Sequence, residues 1–321
     1  MNHVALVVLL PPTALITACG PAFPLDDVLR LGDVQVVGTH NSYHVQTSDA
    51  GVWAYDHEPL DVQIRELGVR QFELDGYWND ELERWDVLHV PTLDAGTTCE
   101  SLSDCVAAQA SALQQDDLPI VTLIELKTGA REPQAQLDSV QADLLAHFEP
   151  DQLVYPAELL GGSATLADAV AADGWPTLGE LRGRTSYVLH SGDTWRGHLT
   201  TDDSALGDRA LFAEAGGDLT CTMCAYQVVN DPTSPQIANA LAAGQLVRTR
   251  ADADSVQARE NDPTQRDAAF ASGANAVSTD WPAAHPDTGY VVALPEGRSG
   301  RCNPATAPAE CTDDAVSLAA E

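Results

Sequence analysis

His40 and Asn41 directly follow a short apolar run, Val34 to Gly38, that reads as a buried strand ending in a turn. Such a strand delivers an acid/base group and a neutral oxygen ligand to one rim. Val69 to Gly76 alternates as a second strand, with Glu73 and Asp75 on one side and Phe72 and Leu74 on the other. Two carboxylates so placed repel each other unless water or a cation bridges them. His89 lies inside the short run Val87 to Val90. Glu125 and Lys127 share a face near the end of Leu118 to Lys127, the most strand-like run in the chain, where they read equally as a buried ion pair and as part of a site. Brought to one place, Asn41, Glu73, Asp75 and Glu125 form a hard, all-oxygen set that suits calcium or magnesium and not zinc. Histidines beside such a cation act as electrophile or as acid and base across a phosphate.

The elements that must position these residues alternate. Helical spacing covers Leu60 to Leu67, closed by Gly68, then Leu102 to Leu113, Pro133 to Phe148, Leu178 to Leu181, and Ile237 to Ala243, closed by Gly244. Strand candidates begin at Val34, Val69, Val87, Ile120, Thr185, Ala225, Leu246 and Ala276. Strands alternating with helices imply parallel pairing, and this number implies a closed α/β barrel with its chemistry at the C-terminal rim. The sixth strand and the stretch from Leu153 to Asp173 carry the weakest signal. The tail after Pro295 reads as a surface extension, so the expected division is 1–19, 25–295 and 296–321.

With 321 residues and 44% hydrophobic content the chain can bury a large core. The net charge of -32 argues against nucleic acid and against a broad basic contact with anionic membranes, so a lipid substrate must be recognised locally. Near the N-terminus an apolar run, Val4 to Ala18, ends in Ile16-Thr17-Ala18-Cys19. Small residues before a cysteine resemble the bacterial lipoprotein signal, which predicts export and a lipid anchor on Cys19, or secretion. Six of the 7 cysteines remain, an even number suited to an oxidising compartment. Sequence neighbours suggest Cys99 with Cys105, Cys221 with Cys224 and Cys302 with Cys311, with metal binding the rival use of Cys221 and Cys224.

The segments Gly38-Thr39-His40-Asn41-Ser42-Tyr43, Glu73-Leu74-Asp75, Leu88-His89, Ile124-Glu125-Leu126-Lys127 and Val277-Ser278-Thr279-Asp280 resemble the calcium-dependent phosphatidylinositol-specific phospholipases C in their compact bacterial form. The likeness runs in order from Val34 to about Pro282, and the loop around Cys99 and the segment Arg248-Thr249-Arg250-Ala251-Asp252 share it. It implies a distorted TIM barrel, a calcium ion on Asn41, Glu73, Asp75 and Glu125, and a catalytic pair, His40 and His89. It further implies attack by the inositol 2-hydroxyl with Glu73 or Glu125 as base, His40 donating to the phosphoryl oxygen and His89 protonating the departing diacylglycerol. Lys127, Arg248, Arg250 and Asp280 are expected at the headgroup, without a lysine cluster for strongly phosphorylated inositides. Glycerophosphodiester phosphodiesterases and sphingomyelinase D share the barrel and its acidic site, and a non-catalytic surface lipoprotein is the remaining alternative.

Overall fold

The structure, a computed structural model, describes residues 23–47, 51–199, 206 and 208–319. The expected signal segment and Cys19 lie outside the described residues. Among those described, the strands are β1 (Val34–Thr39), β2 (Gln71–Asn79), β3 (Arg84–Val87), β4 (Ile120–Leu126), β5 (Thr185–Leu189), β6 (Leu211–Glu214), β7 (Cys224–Val228), β8 (Leu246–Arg250), β9 (Ala276–Thr279) and β10 (Arg301–Cys302).

Parallel pairing runs through β1, β9, β8, β7, β6, β5, β4 and β2, and β2 returns to β1, so eight strands close a barrel. The closure is narrow, a single register pair between Gly38 and Gln71. Gly38 has a steric reason to be glycine. A Cβ there would lie 2.0 Å from Gln71 Oε1 and 2.8 Å from Gln71 Cβ, which would pry the seam open.

Packing follows the two periods read from the chain. Phe72 and Leu74 of β2 join a buried cluster with Leu60 and Ile64 of the helix Leu60–Arg65 and with Leu102 and Val106 of the helix Leu102–Ala112. Glu73 and Asp75, on the other side of the same strand, are buried among charged partners instead. Ser101 starts the helix Leu102–Ala112 with a capping box, its Oγ accepting from the Asp104 amide while the Asp104 carboxylate accepts from the Ser101 amide.

Two expectations about the strands compensate for each other. The run Val87 to Val90 is not a barrel strand: β3 ends at Val87 and pairs antiparallel with β2, and it lies outside the closed set. The strand supplied in its place is β6, only four residues long, whose brevity leaves almost no periodic signal. The stretch from Leu153 to Asp173 holds two short helices, Pro156–Leu160 and Leu166–Asp173. The tail is tied to the barrel, because β10 pairs antiparallel with β1 and Ala315 and Val316 pack with Leu29, Val34, Leu118 and Leu178. Disulfides join Cys99 to Cys105, Cys221 to Cys224 and Cys302 to Cys311, which removes metal binding as the use of Cys221 and Cys224. Among the described residues no helix is long and apolar enough to cross a membrane.

Candidate active site

β1 places His40 by sheet pairing: its amide continues the ladder to the Thr279 carbonyl at 3.0 Å, next to the end of β9. There His40 Nδ1 bonds Asp280 Oδ1 at 2.8 Å, and Asp280 Oδ2 accepts from Arg250 Nη2 at 3.1 Å. Asp252 accepts from the Asp280 amide at 2.9 Å, and His57 Nε2 donates to the His40 carbonyl at 2.9 Å. Burial lowers the His40 pKa, Arg250 lowers it further, and Asp280 opposes both. His40 is therefore a neutral imidazole whose Nδ1–H is given to Asp280. Burial would raise Asp280, but Arg250 and His40 hold its carboxyl well below the usual range.

His89 sits in the loop after β3, not in a strand. Its Nδ1 bonds Asp94 Oδ2 at 2.8 Å, and His44 Nε2 bonds the same oxygen at 2.7 Å. His44 is itself held by the Tyr55 carbonyl, 2.9 Å from Nδ1. Reciprocal backbone bonds of 2.9 Å between Val90 and Asp94 close the turn that brings the carboxylate back to the ring. Tyr77 donates to the His89 carbonyl at 3.0 Å, and the Trp53 ring meets the imidazole edge-on at 5.1 Å.

The acidic residues lie on neighbouring strands, with Asp75 and Glu125 paired in register. Glu73 forms an ion pair with Arg248, whose other nitrogen bonds Asn230 Oδ1 at 2.5 Å. Burial pushes Glu73 up, yet Arg248 and then His40 bring it down to about 2. Asp75 is 1% exposed and neither of its oxygens accepts a hydrogen bond. Burial raises it to about 7, although Lys127 Nζ lies 3.3 Å away. The same ammonium is 2.7 Å from Glu125 Oε2. Asn41 adopts a left-handed φ of 43° just past β1, and its Nδ2 donates to Tyr55 at 3.2 Å.

This donor set fits a hard divalent cation. Ligand atoms of Glu73 and Glu125 lie within 4.8 Å of each other, Asp75 adds a buried carboxylate whose Oδ2 faces Lys127 and whose Oδ1 accepts no hydrogen bond, and the carboxylates already draw cationic side chains. Arg248, Arg250 and Asp280 are engaged with Glu73, Asp280 and His40 respectively. Sequence reasoning did not single out His44, His57, Asp94, His190, Glu214 or Asp252. His190 follows β5 directly, and the strand-end rule that found His40 would have found it too. Asp94 lies in a loop and carried no such signal.

The model of the Ca2+-dependent phosphoinositide phospholipase C family matches residues 29–85 and 81–304. The chain belongs to that family. A Ca2+-dependent phosphatidylinositol-specific phospholipase C from Streptomyces antibioticus superposes with a TM-score of 0.60 at 18% identity, over 79% of this chain and 95% of that one. A calcium-dependent phosphoinositol-specific phospholipase C from Pseudomonas sp gives 0.61 at 16% identity, over 88% and 99%. The phosphatidylinositol-specific phospholipase C of Listeria monocytogenes gives 0.51 at 12% identity, over 80% and 91%. These likenesses concern the fold. No curated protein matches the chain in sequence. Family membership makes the chain a phosphodiesterase acting on phosphoinositides, in a family that depends on Ca2+.

Proposed function

We propose that this enzyme cleaves phosphatidylinositol to diacylglycerol and an inositol cyclic phosphate, with the inositol 2-hydroxyl as nucleophile. The observation that carries this reading is the pair of histidines, each locked by a buried carboxylate at 2.8 Å, beside the acidic cluster. His40, neutral and fixed by Asp280 through Nδ1, has Nε2 left to take the 2-hydroxyl proton. Glu73 is a poor base in this setting, since Arg248 holds it at about 2, and Glu125 is engaged by Lys127 at 2.7 Å, so the proton goes to His40 rather than to either carboxylate. His89, oriented by Asp94, donates to the departing diacylglycerol oxygen. Asn41, Glu73, Asp75 and Glu125 are the residues that hold calcium. When bound, calcium supplies charge neutralisation at the phosphoryl oxygens and acidifies the attacking hydroxyl. Lys127 and Arg248 line the headgroup side once Glu125, Asp75 and Glu73 are shared with the cation, and Arg250 lines it beside its partner Asp280.

Export, with an anchor through Cys19, belongs to the same proposal and is supported by the three disulfides. The alternative of a glycerophosphodiester phosphodiesterase or sphingomyelinase D is disfavoured by the family match, which spans the barrel. The test is release of water-soluble inositol phosphate from phosphatidylinositol vesicles, with calcium and with chelator, for wild type and His40→Ala. Calcium-dependent release that the substitution abolishes is expected. Hydrolysis of glycerophosphocholine or sphingomyelin in its place would overturn the headgroup assignment.

A further inference from the structure

The proposed calcium ligands are all oxygens, yet a nitrogen stands among them. His190 follows β5, where its amide donates to the Ile124 carbonyl at 2.8 Å. A ring nitrogen of His190 and one oxygen each from Glu73 and Glu125 all lie within 4.8 Å of one another. Ligands of one ion with bonds of about 2.0–2.6 Å are at most about 5 Å apart, so these three atoms can share an ion.

One nitrogen of the imidazole also has a carboxylate partner. Its Nδ1 faces Glu214 Oε2 at 3.4 Å, and Glu214 is held in turn by the amides of Gly216 at 2.6 Å and Val228 at 3.4 Å. A carboxylate on one ring nitrogen sets the tautomer and leaves the other nitrogen for a metal. Calcium gains little from an imidazole, whereas divalent transition metals take imidazole and carboxylate together. Asp75, buried on β2 with Oδ2 facing Lys127 at 3.3 Å and Oδ1 unpartnered, adds a further donor.

We propose that His190 is a nitrogen ligand at this site, with Glu214 as its positioning residue, and that Glu73, Glu125 and His190 let the site hold divalent transition metals as well as calcium. The inference rests on the reading of Glu73 and Glu125 as cation ligands. Arg248 and Lys127 must release these carboxylates for either ion, so they do not discriminate between the two.

The experiment loads the calcium-stripped full chain with Mn2+ and records pulsed electron paramagnetic resonance, with calcium affinity measured separately by calorimetry. Wild type is expected to show 14N modulation on Mn2+ that calcium displaces. His190→Asn should lose the modulation, and Glu214→Gln should weaken Mn2+ by about 10- to 100-fold with calcium affinity nearly unchanged. Calcium-displaceable Mn2+ without 14N modulation in wild type would overturn the inference and leave the calcium reading intact, whether or not the variants fold. Modulation that persists in folded His190→Asn would also overturn it. If wild type binds neither ion, the acidic cation site itself fails and His190 falls with it.

Discussion

His40 and His89 make the same contact, a 2.8 Å bond to a buried carboxylate, but the molecule builds the two contacts differently. The His40 pair joins the ends of two adjacent barrel strands, and its carboxylate is backed by Arg250 and Asp252. The His89 pair lies within one loop, between β3, which stands outside the barrel, and a helix pinned by Cys99–Cys105. Asp94 is shared there with His44, which reaches it from the segment after β1. A strand-borne pair inherits the rigidity of the sheet. A loop-borne pair needs separate fastening, here a tight turn, a second histidine and a disulfide.

The largest effects should come from the histidines themselves. His40→Ala and His89→Ala should each lower turnover of phosphatidylinositol by about 100- to 10,000-fold. A phosphodiester of inositol with an activated leaving group separates them, since such a group departs without a proton. His89→Ala should recover much of its rate on that substrate and His40→Ala should not; equal losses on both would break the assignment of opposite roles. Next come the carboxylates. Asp280→Asn and Asp94→Asn should each cost on the order of a hundredfold, because the ring is misoriented rather than removed. Only Asp94→Asn should copy the leaving-group pattern of His89→Ala.

The fastening of the loop is testable apart from its chemistry. Replacing both Cys99 and Cys105 by Ala opens a bridge of sequence separation 6, which should lower stability by about 2–3 kcal/mol in denaturant unfolding. Its residual rate loss should again be smaller on the activated substrate. A uniform loss on both substrates would mean that the bridge supports the whole barrel.

The smallest effect expected is on pH. Asp75 has a folded pKa raised to about 7, so its burial is harmless while protonated and increasingly destabilising as pH rises from the unfolded value near 3.8 towards 7. Glu73, lowered to about 2, works oppositely: its contribution is present above 4.5 and is lost as pH falls towards 2. A calcium ion held by Asp75 would have to displace its proton. The rise in melting temperature on adding calcium should therefore be larger at pH 8 than at pH 5.5, and an equal rise at both would argue that Asp75 is not a ligand.

How much of this was legible in the chain depended on where each residue stands. His40, Glu73, Asp75 and Glu125 were singled out because strand alternation and strand ends are local patterns, and the structure sets them in or just after β1, β2 and β4. His89 was found in the right neighbourhood but in the wrong element, since a four-residue apolar run has the same period in a hairpin as in a barrel strand. β6 was missed for the same brevity, and the expected number of strands survived because one error offset the other.

Residue types and their periods determined the parallel α/β class, the acidic surface charge and the presence of hard oxygen donors with two histidines. Tertiary structure alone decided the partnerships. His40 meets Asp280 across 240 positions and Glu73 meets Arg248 across 175, and no local pattern links residues so far apart. Those contacts exist because the barrel closes at the Gly38–Gln71 seam in one register, and register is set by the summed packing of every strand against its helices rather than by any single segment.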